Sequence, residues 1–126
     1  MSNNKEIQSG SKWPVEVIPD SDILFRRVHT QYAPDGELQP NAFKNAGPGF
    51  SANWMKYCPT PNHSRDLARN PSLVGIVSLI VERVRKIPLA VTHTPARDDR
   101  SHTTISGADA EARVKLLEIA KWEVKP

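Results

Sequence analysis

Residues 88–106, Pro-Leu-Ala-Val-Thr-His-Thr-Pro-Ala-Arg-Asp-Asp-Arg-Ser-His-Thr-Thr-Ile-Ser, carry two short β-type runs on either side of a charged connection, with a histidine in each run. Side chains alternate across an extended backbone, so Leu89, Val91 and His93 share one parity, and His102 and Thr104 share another. Paired as antiparallel neighbours, the runs are expected to bring the imidazoles of His93 and His102 close together at the loop end. The connection contains Arg97, Asp98, Asp99 and Arg100. It is too long for a two-residue turn and too charged to be buried.

The remaining chain supplies what such a hairpin packs against. Residues 1–12 lack large hydrophobes apart from Ile7 and read as a disordered tail, leaving 13–126 as a single domain. Trp13, Val15 and Val17 alternate with Pro14 and Glu16, which predicts a short strand or extended edge segment. Ile23 to His29 reads as a strand. On it Arg26 and Arg27 point to opposite faces, so one guanidinium sits beside the core and must find a partner there.

From Glu37 to Pro71 regular structure is sparse, with a short strand at Phe50 to Trp54 and a helical turn at Ser64 to Arg69. Phe43, Phe50, Trp54 and Tyr57 are expected to anchor this stretch. Leu73 to Ile80 is short, apolar and β-branched, which favours a buried strand, with one helix over Ser72 to Lys86 as the rival. A helical turn or two follows from Val81, with Val84 and Ile87 inward, and Pro88 ends it. Asp109 to Trp122 is the clearest helix, with Ala110, Val114, Leu117 and Lys121 at helical spacing.

These elements define an α+β fold. A small mixed or antiparallel sheet built from Ile23–His29, Leu73–Ile80, Leu89–His93 and Ser101–Ser106 packs against the C-terminal helix, with long irregular connections between.

Composition excludes several functions. Cys58 is the only cysteine, so neither an internal disulfide nor a multi-cysteine metal site can form, and a reducing cytoplasm is the expected setting. The longest apolar run, Leu73 to Val81, is far shorter than the roughly 20 residues needed to cross a bilayer, so no membrane association is expected. Lys and Arg number 17 against 14 acidic residues, a mild bias compatible with a nucleic-acid or other anionic partner. Arg97 and Arg100 flank Asp98 and Asp99 and neutralise them in place of a cation, so neither metal nor cofactor is expected. No phosphate-binding glycine loop or nucleophile elbow is present.

The candidate chemistry lies in the histidines. His93 and His102 near an arginine such as Arg26 have the makings of a metal-independent nuclease or phosphodiesterase, one imidazole acting as base and the other as acid. The commoner role for such histidines is structural hydrogen bonding at strand ends. No complete catalytic set is legible, so a non-enzymatic binding or accessory module is the preferred expectation. Its contact surface would be a polar patch of His29, Arg27, His93, Arg97, Arg100 and His102.

Arg26-Arg-Val-His29, the Gly-Phe-Ser of residues 49–51, the His-x-Pro of residues 93–95, the Ser-His-x-x-Ile-x-Gly of residues 101–107 and Ala-Lys-Trp at 120–122 resemble a group of short uncharacterised bacterial proteins. That resemblance implies no activity. It implies an accessory role within a larger bacterial protein assembly, associated with defence or mobile elements, and a protein partner.

Overall fold

Residues 12–126 are described by a computed structural model. Six strands, β1 (Ile23–His29), β2 (Phe50–Trp54), β3 (Val74–Ile80), β4 (Ala90–His93), β5 (His102–Ser106) and β6 (Lys121–Val124), form an open sheet in the order β4-β5-β2-β1-β3-β6. Every neighbouring pair is antiparallel. Helices α1 (Pro61–Asp66), α2 (Val81–Lys86) and α3 (Ala110–Ile119) lie in the connections and near the C-terminus. The fold is α+β, with a wholly antiparallel sheet. The tail expected over residues 1–12 lies outside the described residues except for Lys12.

The two faces of the sheet differ in chemistry, and the difference follows from strand parity. Leu24, Val28, Ala52, Trp54, Val77, Leu79, Val91 and Ile105 are buried on one face with Phe43, Val81, Val84 and Leu116. That is the main core, packed by α2 and α3. On the reverse face Phe25 and Ile76 form a smaller buried cluster with Cys58. Beyond that cluster, the reverse face over β4, β5 and β2 carries Thr92, His102, Thr104, Ser51 and Asn53. The polar stretch of the sheet is therefore continuous across these strands.

Burial on both faces decides the choice at residues 72–86. Val77 and Leu79 face the main core while Ile76 faces the smaller cluster, so Val74–Ile80 is a strand with apolar neighbours on both sides. Helix begins only at Val81. The helical turn expected at Ser64 to Arg69 starts earlier, at Pro61, because Thr60 caps it: its Oγ1 accepts from His63 N at 3.1 Å, with Pro61 in the first turn. The C-terminal helix stops at Ile119 and not at Trp122, and the chain turns extended at Ala120 to pair with β3.

Trp13 to Val17 carries no strand, with a bend at Trp13, and its burial is the reverse of a buried-valine strand. Val15 and Val17 are 70% and 88% exposed, while Ile18 is in the core. The inward position at residue 16 is taken by a carboxylate that finds Lys56 Nζ at 2.6 Å and the Tyr57 hydroxyl.

Candidate polar site on the open sheet face

The register of the β4–β5 hairpin separates the two histidines. His93 pairs with Thr103, and Thr94 N donates to the His102 carbonyl at 3.0 Å. Directly opposed residues share a face, so His93 goes with Thr103 to the core side and His102 with Thr94 to the reverse side. The expectation of two adjacent imidazoles is overturned, and with it the acid–base pair of His93 and His102 on one phosphate.

His93 is a buried structural residue. Its Nδ1 accepts from Glu16 N at 3.0 Å and its Nε2 donates to the Arg100 carbonyl at 2.7 Å. Trp54 meets the ring edge-on at 5.0 Å between centroids, and Tyr57 stacks on it at 6.2 Å. Both nitrogens serve to pin the N-terminal segment to the end of the hairpin.

The other expected patch residues scatter. The Arg100 guanidinium lies between Trp13 and Tyr57, at 4.8 and 4.2 Å from their centroids, with Glu16 Oε2 at 3.7 Å. Arg97 is exposed at the hairpin tip. His29 caps the turn after β1, its Nδ1 accepting from Gln31 N at 3.1 Å. Of the expected contact residues, Arg27 and His102 come together on the polar face, while His29, of the same strand parity as Arg27, lies at the end of β1 and is engaged in its cap.

Around His102 the reverse face is organised by hydroxyls. Nε2 of His102 lies 3.1 Å from Ser51 Oγ. Its Nδ1 lies 2.9 Å from the Thr94 carbonyl oxygen and 3.0 Å from Thr94 Oγ1. A carbonyl only accepts, so Nδ1 carries the hydrogen and Nε2 offers its lone pair to the serine hydroxyl. Thr94 Oγ1 continues the chain to Thr104 Oγ1 at 2.7 Å. Ser51, Thr94, His102 and Thr104 are all half-buried and reachable from solvent.

Beside this chain, Asn53 ties together four polar groups. Its Oδ1 accepts from Ser64 Oγ at 2.7 Å and from Arg27 Nη1 at 3.4 Å. Its Nδ2 donates to Asp99 Oδ2 and Ser101 Oγ, each at 3.0 Å. The other Asp99 oxygen accepts from Ser101 N at 3.0 Å, so the carboxylate is consumed inside the network. Cys58 lies nearby, where burial first, and the Asp99 charge second, push its thiol up to about 11.

The two arginines of β1 do different work. The β1–β2 ladder is formed at Leu24–Trp54 and Phe25–Asn53. Beyond it the strands part, and the half-buried Arg26 spans the opening. Its Nε donates to the Ala42 carbonyl at 3.0 Å and its Nη1 to the Ser51 carbonyl at 2.9 Å, while the guanidinium sits 5.1 Å from the Phe50 centroid. Burial, with help from the Arg27 charge, brings Arg26 down to about 10, so it remains a cation at neutral pH. Arg27 emerges on the polar face, where Nη1 makes long bonds of 3.4 Å to Asn53 and to the Ser64 carbonyl. Among the described residues neither arginine has a carboxylate within 4.0 Å.

Ser51, Thr94 and Asn53 were not among the expected site residues. The signal for two of them was present: Ser51 and Asn53 are the polar positions of an otherwise apolar Phe-Ser-Ala-Asn-Trp strand. Among the described residues no group of three or more His, Cys, Asp or Glu side chains stands ready to hold a metal ion, and no helix is long and apolar enough to cross a membrane. No protein-family model matches the chain, and neither curated proteins nor solved structures yield a match.

Proposed function

We propose that the chain is a recognition module of a larger protein assembly, and that it takes an anionic group of its partner on the polar sheet face beside Arg27, Ser51 and His102. One observation carries this reading: Arg27 reaches that face with, among the described residues, no acidic side chain in ion-pair range, and its partner Asn53 stands opposite His102 in the β2–β5 ladder, where Ser51, Thr94 and Thr104 set half-buried hydroxyls around the imidazole. A guanidinium on the same sheet face as hydroxyls and an imidazole is the chemistry that receives a carboxylate or phosphate. Arg26 adds a second positive charge behind Ser51. An open platform suits a group presented by a macromolecule better than an enclosed small molecule.

Titration of the chain with inorganic phosphate, followed by amide and imidazole NMR, tests this. Shifts should centre on Ser51, Thr94 and His102, and Arg27→Gln should weaken them by about tenfold, the worth of one charge-assisted contact. Shifts at Arg97 or Arg100 alone, or none at Ser51 and His102, would overturn the assignment of this face.

A further inference from the structure

We infer that Ser51 is a nucleophile activated by His102, and that this face hydrolyses carboxylic esters whose acyl group bears a negative charge. The negative charge rests on the recognition reading above; the reaction stands on its own geometry. Ser51 Oγ, His102 Nε2, His102 Nδ1 and the Thr94 carbonyl lie in hydrogen-bond succession at 3.1 and 2.9 Å. Nucleophile, base and the group that orients the base are thus in place. A backbone carbonyl occupies the position that a carboxylate fills in acid-supported triads.

The surroundings hold this set still. Thr94 Oγ1, fixed in turn by Thr104, lies against the same imidazole nitrogen. The Ser51 peptide is held from behind by Arg26 Nη1 at its carbonyl. Solvent reaches Ser51 and His102 from the polar side. A single imidazole suffices for acyl transfer, since the proton it takes from the nucleophile is the one it returns to the leaving group. Phosphodiester cleavage with a separate acid and base would need the second ring that the fold places on the other face.

Ser51 Oγ bonds to the ester carbonyl carbon, the carbonyl π pair moves to oxygen, and the Oγ proton passes to His102 Nε2. The tetrahedral adduct collapses, the bond to the leaving oxygen breaks, and that oxygen takes the proton from Nε2. Water then attacks the acyl-serine, giving its proton to Nε2, which returns it to Ser51 Oγ as the carboxylic acid departs. Nδ1 keeps its hydrogen on the Thr94 carbonyl throughout. That carbonyl is neutral and stabilises the transient imidazolium less than a carboxylate does, so turnover is slow and covalent labelling is the more direct readout.

The test uses the full chain and a neutral alkyl fluorophosphonate, with the adduct located by peptide mass mapping. One adduct on Ser51 is expected, absent in Ser51→Ala and formed roughly 100-fold more slowly in His102→Gln. Circular dichroism establishes that each variant is folded. As a second handle, iodoacetamide should alkylate the new thiol of Ser51→Cys faster than that of the Ser51→Cys, His102→Gln double variant. Mono-4-nitrophenyl succinate should then be turned over faster than 4-nitrophenyl butyrate, and Arg27→Gln should remove the difference. A folded chain that binds phosphate but gives no Ser51 adduct, with equal alkylation in the two thiol variants, overturns the nucleophile and leaves the recognition reading intact. A Ser51 adduct with neither phosphate binding nor preference for the charged ester overturns the recognition reading and the substrate class.

Discussion

Asn53 is the residue on which the polar half of the sheet turns. It is buried, yet both lone pairs of its oxygen and both hydrogens of its amide are used. A fully satisfied amide costs little to bury, whereas its loss leaves the buried Ser64 hydroxyl without its acceptor, and Ser101 and Asp99 each short of one donor. Asn53→Ala should therefore lower unfolding stability by about 2–3 kcal/mol in urea titrations. Asn53→Asp keeps the shape but sets a second carboxylate where the amide nitrogen met Asp99 Oδ2 at 3.0 Å. Like charges that close cannot both ionise comfortably, so the loss in Asn53→Asp should shrink as pH falls from 7 to 5, while that in Asn53→Ala should not. Equal pH dependence in the two variants would mean that Asp99 does not depend on the amide.

At the scale of elements, the segment Trp13–Ile18 is held by side chains and not by a ladder. Glu16 N donates to His93, Arg85 Nη1 donates to the Ile18 carbonyl at 2.7 Å, and the Glu16 carboxylate faces Lys56, Tyr57 and Arg100. The hydrogen bond from Lys56, then that from Tyr57, hold the Glu16 carboxyl below the usual carboxylate range. A depressed folded pKa means that this contribution is present above the unfolded value of about 4.3 and is lost as pH falls through the folded one. Acidification below about pH 4 should thus release Trp13 from Arg100, seen as a tryptophan emission shift with far-UV dichroism unchanged, and Glu16→Gln should remove the acid step. An acid step of the same size in Glu16→Gln would show that another group holds the segment. This segment also marks where the sequence misleads: Trp13, Val15 and Val17 alternate like a buried strand, but three polar partners from distant positions turn Glu16 inward. The strands Ile23–His29 and Phe50–Trp54 were legible because local pattern and burial agree there. The parity of each histidine was legible too, but not the register that joins their strands, since a one-residue offset between His93 and His102 flips one ring to the other face. The Ser51–His102 pair is not legible in the sequence because its two residues stand 51 positions apart on separate strands.

For the whole molecule, the order β4-β5-β2-β1-β3-β6 leaves β6 as the strand that covers one side of β3, the most apolar strand of the sheet. Lys121-Trp-Glu-Val is compatible with continuing α3, and it becomes a strand because the β3 edge offers unpaired backbone that would otherwise face solvent. Close approach makes this docking sensitive to a single atom. A Cβ on Gly75 would stand 2.5 Å from the Val124 carbonyl oxygen and 2.6 Å from Pro126, contacts with backbone that no rotamer change relieves. Gly75→Val should therefore displace β6 and act as a deletion of residues 120–126 does. Both variants expose Val74–Ile80 as an edge without charged side chains of its own, the kind of edge that pairs with another chain. Light scattering after size exclusion should show larger species in both variants beyond whatever the unaltered chain forms, with thermal midpoints lowered together. A Gly75→Val chain with unaltered size and midpoint would mean that β6 contributes neither closure nor stability, and that the sheet effectively ends at β3.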